Sequence, residues 1–383
     1  MAAWGRAMIM AVSHADRRRS QIFSACLGVG VLLVRVLTSG PPYFADAYRN
    51  LTAIADHTYV IQPPGYWLFL RTAGLFPNPE LAIHIMNWCF SALGCVMFYA
   101  CARRLVRSPL VELGALFYAT VFFAWFSGNV HSTYASQLLF PPLTFYCMLR
   151  YREDKRTLWV CAVAVSFALG AGIRPSDGAF MVPLLLLFFF QLRRKQRILL
   201  GLLTIALCTA WLVPTKIAQM RYLPDRESAT LWLGHQAAGS SVLLGSFNVY
   251  TIANALRFFL PMALALSPAA LFLLRARNLW LWTWVLPGSL FFLLVFISDA
   301  TYLNCVLGGY VLLGLVGMAT YQNRRVAVAV LATSILINLV FYSGFRPLRS
   351  QSHFYAIIEK DLGNYTFYAV KHKFFVERLK FKS

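Results

Sequence analysis

From Pro41 to Phe69 the chain reads PPYFADAYRNLTAIADHTYVIQPPGYWLF, and the reading of this stretch decides what surrounds it. Phe44, Ala47, Tyr48, Leu51, Ile54 and Ala55 recur at helical spacing, which predicts a short amphipathic helix lying against a membrane surface. Asp46 falls in its first turn, where the helix dipole favours an ionised carboxylate. The same position also suits a plain helix cap. Pro63-Pro64-Gly65 then breaks the chain. The segment from Tyr66 to Phe76 is too short to span a bilayer, and it opens on Tyr66 and Trp67, residue types that favour the headgroup level.

Outward from this loop the chain is apolar almost throughout. Of its 383 residues, 59% are hydrophobic and only 13% charged, with a mean hydropathy of +0.61. Soluble domains average about 25% charged residues, so a soluble globular enzyme is excluded. Apolar windows of spanning length lie near 21–38, 80–101, 109–127, 133–149, 157–173, 177–192, 198–215, 251–274, 279–297, 303–320 and 325–343. The expectation is an all-α polytopic membrane protein with about eleven transmembrane helices and amphipathic juxtamembrane helices in the first external loop. Residues 1–20 form a cytoplasmic N-terminus and 21–343 the membrane domain, with long external loops at 39–79 and 216–250. Residues 344–383 form a basic amphipathic tail, external by the span count.

The net charge of +21 would suggest nucleic acid in a polar chain. Here it follows topology. Arg17 to Arg19, Arg103, Arg104, Arg107, Arg150, Arg152, Lys155, Arg156, Arg193, Arg194, Lys195, Arg197, Arg275, Arg277, Arg324 and Arg325 recur at every second connection. That is the positive-inside pattern with a cytoplasmic N-terminus. The acidic residues Asp46, Asp56, Glu80, Asp177, Asp225, Glu227 and Asp299 fall on the other side, in or beside the long loops where function concentrates. No nucleic-acid partner follows. All eight cysteines lie in apolar runs without a CxxC pair and read as buried helix residues.

A first span, a long loop with Asp46 early and Asp56 ten residues on, the break Pro63-Pro64-Gly65-Tyr66-Trp67, and the later Gly172-Ile173-Arg174-Pro175-Ser176-Asp177 resemble the GT-C superfamily of membrane glycosyltransferases. The branch is the one that includes protein O-mannosyltransferases and lipid A aminoarabinose transferases. The likeness covers the first 110 residues by motif and the rest by layout. It implies a hexosyl- or pentosyltransferase with a polyprenyl-phosphate sugar donor, an inverting transfer, and a glycan, lipid or protein acceptor on the periplasmic or lumenal face. A bacterial inner membrane is preferred to the endoplasmic reticulum. The family's loop carboxylate, a general base or a metal-associated group, carries over to Asp46, taken here as the catalytic base. Many relatives place an acidic residue or His just before the Pro pair. Gln62 stands there in this chain, leaving Asp56 and His57 as its stand-ins. No metal ligand is assigned and no cofactor is required, a divalent cation being the one the chemistry admits.

Sugar transfer from a phosphate leaving group needs a base for the acceptor hydroxyl and cations for the departing phosphate. Arg49 neighbours Asp46, while Arg174, Lys216, Arg221 and Arg257 sit at external helix ends where a lipid phosphate would lie. Each also fits an interfacial anchor. Arg174 stands out because Pro175 fixes the turn after it and Asp177 can orient it. Tyr59, Asp299 and Tyr302 complete the expected substrate-binding set, with an N-cap as the plain alternative for Asp299. Arg35, inside the first span, is expected to face the bundle interior or the outer cavity. The competing reading is a transporter or flippase of an anionic polyprenyl-phosphate-type lipid. Its hallmark, ionisable groups at the bilayer midplane, is nearly missing from the apolar windows.

Overall fold

The computed structural model describes residues 14–39, 45–61, 65–106, 108–222, 243, 260–295 and 300–344. Among them α1 runs from His14–Thr38, α2 from Ala45–Ala55, α3 from Trp67–Ala73 and α4 from Pro79–Leu105. The short helices α5 (Leu110–Thr120) and α6 (Phe122–Asn129) follow, then α7 (Ser136–Asp154), α8 (Thr157–Ile173), α9 (Pro175–Phe189) and α10 (Arg194–Tyr222). A 3₁₀ segment at Ala269–Arg275 leads to α11 (Leu279–Leu294), and a second at Ala300–Leu303 leads to α12 (Asn304–Ala319) and α13 (Arg324–Gly344). No strand occurs among the described residues.

Five of these helices are long and apolar enough to cross a membrane, six if α5 and α6 count as one span bent by 55°. The shorter apolar helices α8, α9 and α11, at 17, 15 and 16 residues, account for expected spans without reaching that length. Windows of hydropathy do not register where Pro175 starts a helix or where residues 190–193 turn. The expected span 251–274 falls largely outside the described residues, and its last part is 3₁₀ helix. Loop 216–250 also lies mostly outside them, and the tail from 345 onward entirely so.

Local chemistry sets several boundaries. Asn78 caps α4 by accepting from the Leu81 amide at 3.0 Å, Pro79 opens its first turn, and Asn278 caps α11 in the same way. Helix α4 packs on α1, α5 and α7, and α7 on α8, which in turn meets α10. The α4–α7 contact depends on Gly94, since a Cβ there would overlap the Leu138 carbonyl. Around these helices lies one large apolar core running from Leu27 to Tyr342. A smaller cluster, including Ile54, Phe69, Leu70, Ile83 and Phe140, seats α2 and α3 on the ends of α4 and α7.

The connections segregate to two ends. At the basic end Arg104 pairs with Glu153 at 3.2 Å, and Arg150 with Glu153 and Asp154 at 3.3 and 3.7 Å. Arg152 lies 4.9 Å over Trp280 and Arg275 4.9 Å over Tyr321, so connections far apart in sequence meet there. At the opposite end Trp88 donates to Ser39 at 2.6 Å and Asn129 to Thr38 at 2.8 Å. Arg35 is buried as expected, its Nη2 donating to the Ala119 carbonyl at 3.0 Å and its guanidinium 4.8 Å from the Trp125 ring.

The bend between α5 and α6 frees the Phe122 amide. Asn338 of α13 accepts from it at 3.0 Å and donates to the carbonyls of Ala265 and Ser334, both at 2.8 Å. Leucine at 338 strands two of these buried groups. Asn338→Leu should therefore cost about 1–3 kcal/mol, read as a lower melting temperature in detergent against an unchanged value for an exposed control such as Leu336→Ala.

Candidate active site

The site is organised by the junction of α8 and α9. Gly172 admits Leu68 of α3 and Trp211 of α10 so closely that a Cβ would lie 2.7 and 2.8 Å from them. Arg174 follows with extended backbone, its amide still bonded to the Gly170 carbonyl at 2.9 Å. Pro175 starts α9, and the Asp177 amide returns to the Arg174 carbonyl at 3.0 Å. This tight turn puts both charged side chains, each 3% exposed, on one side.

The Arg174 guanidinium carbon lies 4.2 Å from the Tyr134 ring, 4.9 Å from Tyr302 and 5.9 Å from Tyr66. Nη1 donates to the Thr133 hydroxyl at 2.8 Å, and Nε stands 3.7 Å from Asp177 Oδ1 without a hydrogen bond of its own. The Asp177 carboxylate is held in turn by Gln137, which donates at 2.6 Å. A cation against three aromatic faces in a dry setting is strongly stabilised. Four parts of the chain meet here: the start of α3, the 130–135 turn, the α8–α9 junction and the approach to α12.

The first loop has its own geometry. Helix α2 buries Ala47, Asn50 and Ile54 at helical spacing, in line with the amphipathic reading. Asp46 is in its first turn, but its side chain lies outside the described residues. Arg49, Asp56 and His57 are exposed. His57 and Tyr59 both adopt left-handed backbone, at φ 54° and 56°, an uncommon state that concentrates at functional segments. His57 Nδ1 is 3.0 Å from the Tyr59 hydroxyl, which also accepts from Arg71 at 2.8 Å. Beyond the Pro pair, Gly65 at φ 82° abuts Thr215 and Gln219 of α10, and Lys216 donates to Gln219 at 3.0 Å.

Of the residues expected from sequence, Arg174, Asp177 and Tyr302 are brought together. Tyr59 and His57 form a separate cluster with Arg71. Lys216 and Arg221 are exposed on α10, with Arg221 5.3 Å over Tyr222. Gln62, Arg257 and Asp299 lie outside the described residues. Thr133 and Tyr134 belong to the polar outer turn 127–134, which the sequence offers equally as a lining of the acceptor site or as a plain connection; Gln137 was not expected, although a glutamine inside the apolar window 133–149 is itself a signal of a buried polar contact.

A second constellation lies near the same end. Glu80 and His84 stand four residues apart on α4, and His131 comes from the 130–135 turn; one ligand atom from each falls within 4.8 Å of the others. The His84 and His131 rings are 4.1 Å apart. Burial pushes the His131 imidazole down to about 3, with His84 beside it adding to the effect, so this ring is neutral at physiological pH.

A sequence model of the family described as dolichyl-phosphate-mannose-protein mannosyltransferase matches residues 56–215, which include Arg174, Asp177, Thr133 and Tyr134. Among solved structures, the chain is similar to ArnT from Cupriavidus metallidurans bound to undecaprenyl phosphate. The identity is 16% and the TM-score 0.58, over 92% of this chain and 69% of that one. For the same protein in the apo state the values are 16% and 0.57, over 86% and 65%. The chain thus spans about two thirds of the length of the ArnT structures, and the likeness at this identity is one of fold. No curated protein matches it in sequence.

Proposed function

We propose that the chain is a membrane glycosyltransferase of the GT-C superfamily and that it transfers a hexose or pentose from a polyprenyl-phosphate donor to an acceptor hydroxyl. The reaction takes place at the end of the bundle that carries Arg174. Asp46 takes the acceptor proton and the acceptor oxygen attacks the anomeric carbon. The bond from that carbon to the phosphate oxygen breaks with inversion. The lipid phosphate leaves carrying the bonding electrons, its charge held by Arg174. By the distribution of basic residues, this end faces the periplasm or lumen and the N-terminus is cytoplasmic.

The observation that carries the proposal is the buried Arg174 guanidinium, fixed by Thr133, Asp177 and three tyrosines. The undecaprenyl phosphate bound to ArnT and the dolichyl phosphate in the family's description support the donor class. Purified protein in detergent should bind labelled undecaprenyl phosphate and be competed by undecaprenyl phosphate at least tenfold better than by undecaprenol. Equal competition by the uncharged alcohol would remove the phosphate from the recognition and the proposal with it.

A further inference from the structure

We propose that Glu80, His84 and His131 form a binding site for a divalent transition metal of the zinc class, which pins the 130–135 turn to the first turns of α4. A helix places residues four apart on one face, so Glu80 and His84 present a carboxylate and an imidazole side by side. The third group arrives from a turn fixed independently, with Asn87 donating to the Val130 carbonyl at 2.7 Å and the Ser132 amide bonding the same oxygen at 2.9 Å. His131 is 0% exposed, and neither of its ring nitrogens makes a hydrogen bond of good geometry, the Glu80 backbone being the polar group beside them. The buried Nδ1 of His84 lacks one as well.

Buried imidazole nitrogens are nearly always satisfied, and leaving them bare is costly. An ion would take one nitrogen from each ring together with a Glu80 oxygen. Two imidazoles and a carboxylate match the borderline-soft preference of zinc, with three protein ligands and one position left for water. Bonds near 2.0–2.1 Å in a tetrahedron put ligand atoms about 3.4 Å apart, so the separations of up to 4.8 Å close by side-chain rotation of exposed Glu80 and half-buried His84. Trp88, stacked 5.5 Å from His84 at 19°, limits the orientations of that ring. Because Thr133 and Tyr134 both contact Arg174, the ion would also hold two partners of that guanidinium in place.

The test is metal binding by the full chain in detergent, independent of any sugar transfer. After treatment with a chelator, the wild type should take up one equivalent of zinc. Cobalt should give the visible absorption of a four- or five-coordinate nitrogen and oxygen site. In Glu80→Gln and His84→Gln, both altered at positions at least partly open to solvent, zinc affinity should fall ~100-fold or more, beyond what loss of an outer partner costs. Zinc should raise the melting temperature of the wild type and leave that of His84→Gln unchanged. No zinc uptake by the wild type, or undiminished affinity in the two variants, overturns the assignment.

Discussion

Asp46→Asn protein is expected to fold, to bind undecaprenyl phosphate like the wild type and to transfer sugar ~10²–10⁴-fold more slowly. The amide has the shape of the carboxylate, so α2 and its buried residues Ala47, Asn50 and Ile54 keep their seat on the smaller apolar cluster. What is lost is the ability to accept a proton from the attacking hydroxyl. In the first turn of a helix, where amide dipoles stabilise negative charge, an aspartate is held ionised and ready. Release of polyprenyl phosphate from labelled hexose and pentose donors in reconstituted vesicles measures the step. Full activity in this variant removes Asp46 from the chemistry, while the phosphate-binding result reports on Arg174 separately.

The second large effect concerns the buried pair. Arg174→Met leaves the Asp177 carboxylate 3% exposed with only Gln137 and Ser176 to hold it. Breaking one side of such a pair typically costs about 3–5 kcal/mol, whereas replacing both sides by apolar groups of similar volume is often neutral. The double variant Arg174→Met/Asp177→Leu should therefore recover most of the melting temperature lost by the single one. It should not recover binding of undecaprenyl phosphate, because no guanidinium remains for the phosphate oxygens. Recovery of both would assign Arg174 to packing alone.

Much of this arrangement was legible in the chain. The Gly-x-Arg-Pro turn announces itself because Pro175 can start a helix but not continue one, which exposes Arg174 at a junction. Tyr302 was readable as a polar-plus-aromatic approach to a late apolar run. The amphipathic pattern around Asp46 gave α2 almost to the residue. The pairing itself was hidden for a physical reason: Thr133 and Tyr134 reach Arg174, and Gln137 reaches Asp177, across the bundle, and no local periodicity encodes contacts about 40 residues away. The same applies to the metal constellation. Glu80 and His84 carry the right spacing, but their third member is supplied by another turn. Span number was equally out of reach, because the 55° bend at Val121 and the short helices α8, α9 and α11 look like ordinary apolar windows in composition.

The turn that carries His131 and Thr133 begins where α6 ends, and the ties around it have an implication for how the protein is made. Ser127 accepts from Asn304 at 2.8 Å, Asn129 donates to Tyr342 at 2.7 Å, and Trp125 stacks 3.9 Å from the Tyr342 ring. Those partners are synthesised about 175 to 215 residues later. In a nascent chain whose first half has left the ribosome, Asn129 and Trp125 have Thr38 and Ser127 has the Phe123 carbonyl, while their partners Tyr342 and Asn304 are still to come. Its early helices remain a waiting half-shell, recognisable to insertion and quality-control machinery, until the last helix arrives and closes the ring. Truncations that stop short of α13 are thus expected to be degraded rather than to persist as smaller membrane proteins.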